Sequence, residues 1–228
     1  MTAVVGAPEP SSIPGLPLLK PRLRGHLHQW ACLVSVVTGA VLVAFAPTAR
    51  GRFAAIVYAA SVTLLFGTSA LYHRRPWSAR ARGRMKRLDH AMILVLAAGS
   101  FTPMAMLLLT RPAARWMLWV VWVGTAFGVA IRILWPDTPP WAAVPLYFLV
   151  GGVALLALPA LLETGHVVPL ALMVSAGAVY IAGGIILASH RPDPRPAVFG
   201  YHEVFHLLTL VAGMAIYVLN SIVVYGAT

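Results

Sequence analysis

The stretch FGYHEVFHLLTLVAGMAIYVL, residues 199–219, carries two signals in one segment. His202 and His206 stand four apart with Glu203 beside the first, which is the H-E-x-x-H spacing that puts two imidazoles on one helical face for a metal. From Leu207 onward the residues are almost all apolar and read as the interior of a membrane span. With 8 His and three Glu in 228 residues, random order gives roughly 0.004 occurrences of that spacing. Many such matches are plain helix surface, so the motif gains weight only if other ligands lie at the same depth.

Composition sets the class. Hydrophobic residues make up 60% of the chain and charged residues 10%, against roughly 25% charged in soluble domains. An integral membrane protein is the class that fits. The net charge of +11 falls in short runs between apolar segments. It therefore reads as a topology signal and as contact with anionic headgroups, above all at the second loop, and not as a nucleic-acid surface. The single cysteine, Cys32, excludes an intramolecular disulfide and a Cys-based zinc site. Residues 1–25, MTAVVGAPEPSSIPGLPLLKPRLRG, are Pro-rich, end in basic residues and lack the apolar core of a signal peptide. They are expected to form a disordered basic tail, leaving 26–228 as one membrane domain.

A crossing helix needs about 20 mostly apolar residues. Seven runs qualify: 29–46, 53–72, 90–109, 115–134, 143–162, 168–188 and 203–224. None alternates with period two, and backbone satisfaction in lipid then requires helices. The expected fold is all-α, a seven-transmembrane helix bundle. Lys and Arg give its orientation. Thirteen fall on the N-terminal side: Lys20, Arg22 and Arg24 in the tail, seven between Arg74 and Arg87, Arg132, Arg191 and Arg195. Four fall opposite: Arg50, Arg52, Arg111 and Arg115. The positive-inside rule predicts a cytoplasmic N terminus and an external C terminus.

Ionisable residues at span ends are costly and usually functional. His73 ends span two, Asp89 and His90 open span three, and His202, Glu203 and His206 open span seven. Span two ends on the side where spans three and seven begin, so these residues share one depth by helix parity alone. Ser69 and His73 are i and i+4, stacked on one face of span two. Three imidazoles from two helices can thus converge. Three His with an open position is the pattern of catalytic zinc, whereas structural sites are closed by four protein ligands. Asp89 then stands ready to hold the attacking water.

At this point the residues resemble a known group. SALYH (69–73), RLDHAMILVLAAGSFTPM (87–104) and GYHEVFHLLTLVAGMAIY (200–217) are similar to the signature segments of the bacterial hemolysin III family, in the progestin and adipoQ receptor superfamily. The resemblance covers roughly residues 25–225. It implies an N-terminus-inside bundle with a Zn2+ site near the cytoplasmic face of the bacterial inner membrane. The implied ligands are His73, His202 and His206, with Asp89 engaging the water and Ser69 beside it. The wider superfamily includes alkaline ceramidases, so it also implies metal-dependent hydrolysis of a lipid amide, with a membrane lipid as substrate or ligand.

Other residues carry plainer readings. Glu203 fits a helix-start cap better than a zincin-like base. His90 is a lining or structural residue, and His26, His28, His166 and His190 are expected to be solvated at loop edges. Gly124 and Gly128 form G-x-x-x-G, read as packing within the bundle in preference to a homo-oligomer contact. Pro103 and Pro159 are expected to kink their spans, and Trp116, Trp135 and Trp141 to join an interfacial belt. Besides the hydrolase, three readings stay open: a receptor-like or structural zinc protein, a channel or lytic protein, and a zinc protease. The near-apolar spans four to six argue against a pore, and the protease rests on Glu203 alone.

Overall fold

A computed structural model describes residues 20–135, 138–153, 155, 158–163 and 165–227. It contains α1 (His26–Ala44), α2 (Ala49–Arg74), α3 (Ala79–Leu108), α4 (Arg111–Leu134), α5 (Pro140–Gly152), α6 (Leu158–Glu163), α7 (Val167–Ser189) and α8 (Tyr201–Tyr225). Six of them, α1 to α4, α7 and α8, are long and apolar enough to cross a membrane. Among the described residues there is no strand beyond one isolated bridge between Arg195 and Phe199. The chain is an all-helical, multi-pass membrane protein.

The helices begin where the sequence supplies a cap. Thr48 Oγ1 accepts the Gly51 N–H at 3.0 Å to start α2. Ser78 Oγ accepts the Ala81 N–H at 3.4 Å to start α3. That second cap changes the expected picture of the basic loop. Residues 80–87 form the first turns of a 30-residue helix, because Arg, Lys and Met are good helix formers. At ~1.5 Å per residue α3 exceeds the ~30 Å hydrocarbon thickness, so its basic start stands outside the apolar layer.

The fifth expected span, 143–162, coincides with two shorter helices, α5 and α6. The Gly151–Gly152 pair, weak in helix propensity, ends α5, and Pro159 sits in the first turn of α6, where its missing N–H is tolerated. α3 continues through Pro103 to Leu108.

α2 packs between α1 and α3, α4 packs on α3, and α7 lies along α8. α8 also touches α1, α2 and α3, and its first turns meet α1 through His206 and His28 and α2 through His202 and His73. One core joins Ala98, Met104, Met117, Val121 and Leu219, and another joins Leu42, Tyr58, Ala212 and Ile216. Lipid is as apolar as these side chains, so close packing and interhelical hydrogen bonds hold the bundle. Asn220, wholly buried on α8, donates from Nδ2 to the Ser100 carbonyl on α3 at 3.2 Å, a contact worth about 0.6 kcal/mol in such bundles. A Cβ at Gly128 would come 2.6 Å from Leu94 Cδ1 on α3, and one at Gly124 would meet Val150 on α5, so the G-x-x-x-G face serves internal packing. Trp116, Trp135 and Trp141 are exposed near helix ends, as a belt requires.

Residues 1–19 of the expected tail lie outside the described residues. Its last part is tied down: the Arg22 and Leu23 N–H groups donate to the Ala197 and Val198 carbonyls at 3.0 and 3.1 Å.

Candidate metal centre

The last turn of α2, the second and third turns of α3 and the first turns of α8 meet at one end of the bundle. His73 comes from α2, Asp89 from α3, His202 and His206 from α8. One ring nitrogen of each of the three histidines lies within 4.8 Å of the others. His73 Nε2 and His202 Nε2 are 3.3 Å apart, and His73 Nε2 is 3.9 Å from Asp89 Oδ2. His73 and His206 are buried and His202 is half-buried.

Tetrahedral zinc holds imidazole nitrogens at about 2.0–2.1 Å, which sets an N···N edge of about 3.3 Å. The His73–His202 pair already has that edge. All three edges lie within 4.8 Å. A set of three imidazoles and no thiolate suits zinc and other borderline metals. The residues present therefore fit a metal of this kind.

Around the histidines is a layer that sequence reasoning read differently or passed over. His28, expected to be solvated, is only 3% exposed. Its ring stacks on His206 with centroids 3.8 Å apart and planes 17° apart, and its Nδ1 is 2.8 Å from Ser69 Oγ. The reason is packing: α1 lies along α2 and touches α8, so the first turn of α1 is enclosed. Helix parity puts His28 at the same depth, because span one begins on the side where spans three and seven begin. His26 packs against the Arg74 guanidinium, His190 meets the Tyr201 ring edge-on at 4.6 Å, and His166 is half-buried. His90 is bonded to buried Arg132 on α4 and lines the cavity described below.

Glu203 is wholly buried. Its Oε2 accepts the Gly200 N–H at 2.9 Å, which is the cap, and its Oε1 accepts from Arg24 Nε. Both oxygens are thus engaged away from the three imidazoles. Arg24 belongs to the segment before α1, which turns at Gly25 with φ 79°. A Cβ there would come 2.7 Å from His73 Cβ, so the segment passes directly over the ligand turn. Lys20 Nζ donates to the His73 carbonyl. Burial, and then the charges of Arg82, Arg24 and Arg74, push that ammonium below the usual lysine range.

A cavity of about 480 Å³ opens onto the site. His73, His202, Asp89 and His90 lie on its wall, with Lys20, Arg24, Arg82 and Lys86 around them. The arrangement can hold a cation at three nitrogens, place a carboxylate beside it and admit a ligand from the polar end of the bundle.

A family model described as Haemolysin-III related matches residues 17–217. The chain is also similar to Hemolysin-3 of Bacillus cereus, 27% identical over 167 residues that cover 72% of this chain and 71% of that protein. The family match agrees with the resemblance read from the three short segments, and it spans Ser69, His73, Asp89, His202 and His206.

Proposed function

The chain belongs to the haemolysin-III related family, and on that premise we propose that it is a zinc-dependent hydrolase of a membrane lipid amide, acting near the cytoplasmic face of the bacterial inner membrane. The reading rests above all on one observation: the gathering of His73, His202 and His206 beside a cavity that Asp89 also lines. Three protein ligands beside an open cavity fit a catalytic site better than a closed structural one.

His73, His202 and His206 would hold the zinc. Zinc bound there would acidify a water and polarise a carbonyl. Asp89 would position that water and take its proton, the usual task of a carboxylate general base. Ser69, fixed by His28, would steady Asp89. A lipid suits the site because its chains can lie between helices while the labile bond rests at headgroup depth. In this reading the bundle crosses seven times, with α5 and α6 together forming one crossing, the N terminus in the cytoplasm and the C terminus outside.

The second reading is a receptor-like or structural zinc protein. It is favoured by the tie between α2 and α8 that the histidines make across the bundle. The test is release of fatty acid from short-chain ceramides and related lipid amides by the detergent-purified protein, with zinc measured in the same sample. Turnover supports the hydrolase. Full zinc with no release across the panel moves the conclusion to the second reading.

A further inference from the structure

The cavity above the histidines is more basic than capping or topology requires. Lys20, Arg24, Arg82 and Lys86 line it, against the carboxylates of Asp89 and Asp193. Two of the four cations have internal partners: Arg24 pairs with Glu203, and Lys20 donates to the His73 carbonyl. Asp193 is engaged by the Tyr201 N–H at 2.9 Å. Arg82 and Lys86 have no acidic partner among the described residues. Arg82 lies 5.8 Å from the centroid of the Tyr72 ring, which orders it without neutralising it.

Arg82 and Lys86 are one turn apart on α3, and Asp89 and His90 continue the same face one turn further in. Along the helix axis they precede Asp89 by about 10 and 5 Å. Like charges gathered around a partly enclosed space repel one another, and an anion in their midst relieves that repulsion. A bound metal at the histidines would add positive charge to the same space.

We infer that Arg82 and Lys86 form a phosphate-binding subsite at the mouth of the metal cavity, so that the lipid handled there carries a phosphate in its headgroup. This deepens the hydrolase reading and rests on it for the identity of the reacting bond, but the subsite itself is a binding property that needs no turnover. The two cations are spaced to receive a phosphate roughly 5–10 Å along the helix from Asp89, which leaves room for a short headgroup linker. Arg takes phosphate oxygens through paired N–H donors, and Lys does so as a point charge.

The experiment uses the full chain purified in a neutral detergent. Binding of dihexanoyl phosphatidic acid is compared with binding of dihexanoyl glycerol, which has the same chains and no phosphate, and with inorganic phosphate as competitor. Arg82→Gln/Lys86→Gln is set beside Arg80→Gln/Arg84→Gln, which removes equal charge from the same helix but outside the cavity lining. The expected result is saturable binding of the phosphatidic acid, at least ~10-fold tighter than the neutral lipid. That preference is lost in Arg82→Gln/Lys86→Gln and kept within about twofold in Arg80→Gln/Arg84→Gln. Competition by inorganic phosphate at equal affinity would support the subsite but assign it to the free anion. Equal binding of both lipids, or equal loss in both double variants, overturns the subsite and leaves only diffuse surface charge. Zinc content of the same samples keeps the two ideas apart: absent zinc with intact phosphate preference defeats the metal reading alone.

Discussion

His73 Nε2 and His202 Nε2 meet at 3.3 Å although 129 residues separate them in the chain. The end of one helix and the beginning of another are thus joined at the spacing that a tetrahedral ion imposes on two of its ligands. Purified protein is therefore expected to carry close to one zinc per chain. His202→Ala or His206→Ala should remove most of it, since each takes away one of three ligands. Elemental analysis beside the wild type is the check, and normal zinc in both variants would sink the assignment.

The orientation prediction rests on thirteen basic residues against four. A reporter fused after residue 228 should be active only outside the cytoplasm, and one fused before α1 only inside it. A reporter placed between α6 and α7 separates the remaining possibilities. If α5 and α6 together make one crossing, that point lies outside. Activity on the cytoplasmic side there, with a cytoplasmic C terminus as well, would mean that only the six long helices cross.

Much of the site was legible because H-x-x-x-H, S-x-x-x-H and an acid at a helix start are local patterns, and helix parity brings them to one depth. The burial of His28 is not visible along the chain, for a physical reason. HLHQW before an apolar run reads as a solvated edge, and only the packing of α1 on α2 and α8 buries it. Along the chain Arg24 reads as a topology charge, and nothing in its neighbourhood points to Glu203, 179 positions away. The fold was legible in the apolar runs, except in the fifth. There, composition says span, while Gly151, Gly152 and Pro159 divide the helix.

The Arg24–Glu203 pair yields a prediction that separates a cap from a catalytic base. Glu203 is wholly enclosed, and Arg24 is half-buried at the cavity wall. Removing one partner leaves a buried charge unmatched, which typically costs ~3–5 kcal/mol. Glu203→Ala should therefore lower the thermal midpoint of the purified protein markedly, and Arg24→Ala should do so to a similar extent. If Glu203 were a zincin-like base, Glu203→Ala would instead keep the midpoint and the zinc and lose only activity.

Asp89→Asn distinguishes an enzyme from a structural metal site. Asp89 Oδ2 is 3.9 Å from His73 Nε2, and Asp89 lines the same cavity as His73 and His202. Asn keeps its size and one accepting oxygen but takes up no proton at neutral pH. The variant should hold its zinc and its fold while hydrolysis falls by the ~10²–10⁴-fold typical of a lost general base. Ser69→Ala should be milder, because a neutral hydrogen bond contributes only about 0.5–1.5 kcal/mol. The measurements are fatty-acid release and zinc content on the same preparations. Wild-type release that Asp89→Asn matches would keep the enzyme and remove Asp89 from its mechanism. Loss of zinc in Asp89→Asn would instead make Asp89 part of the metal's own support.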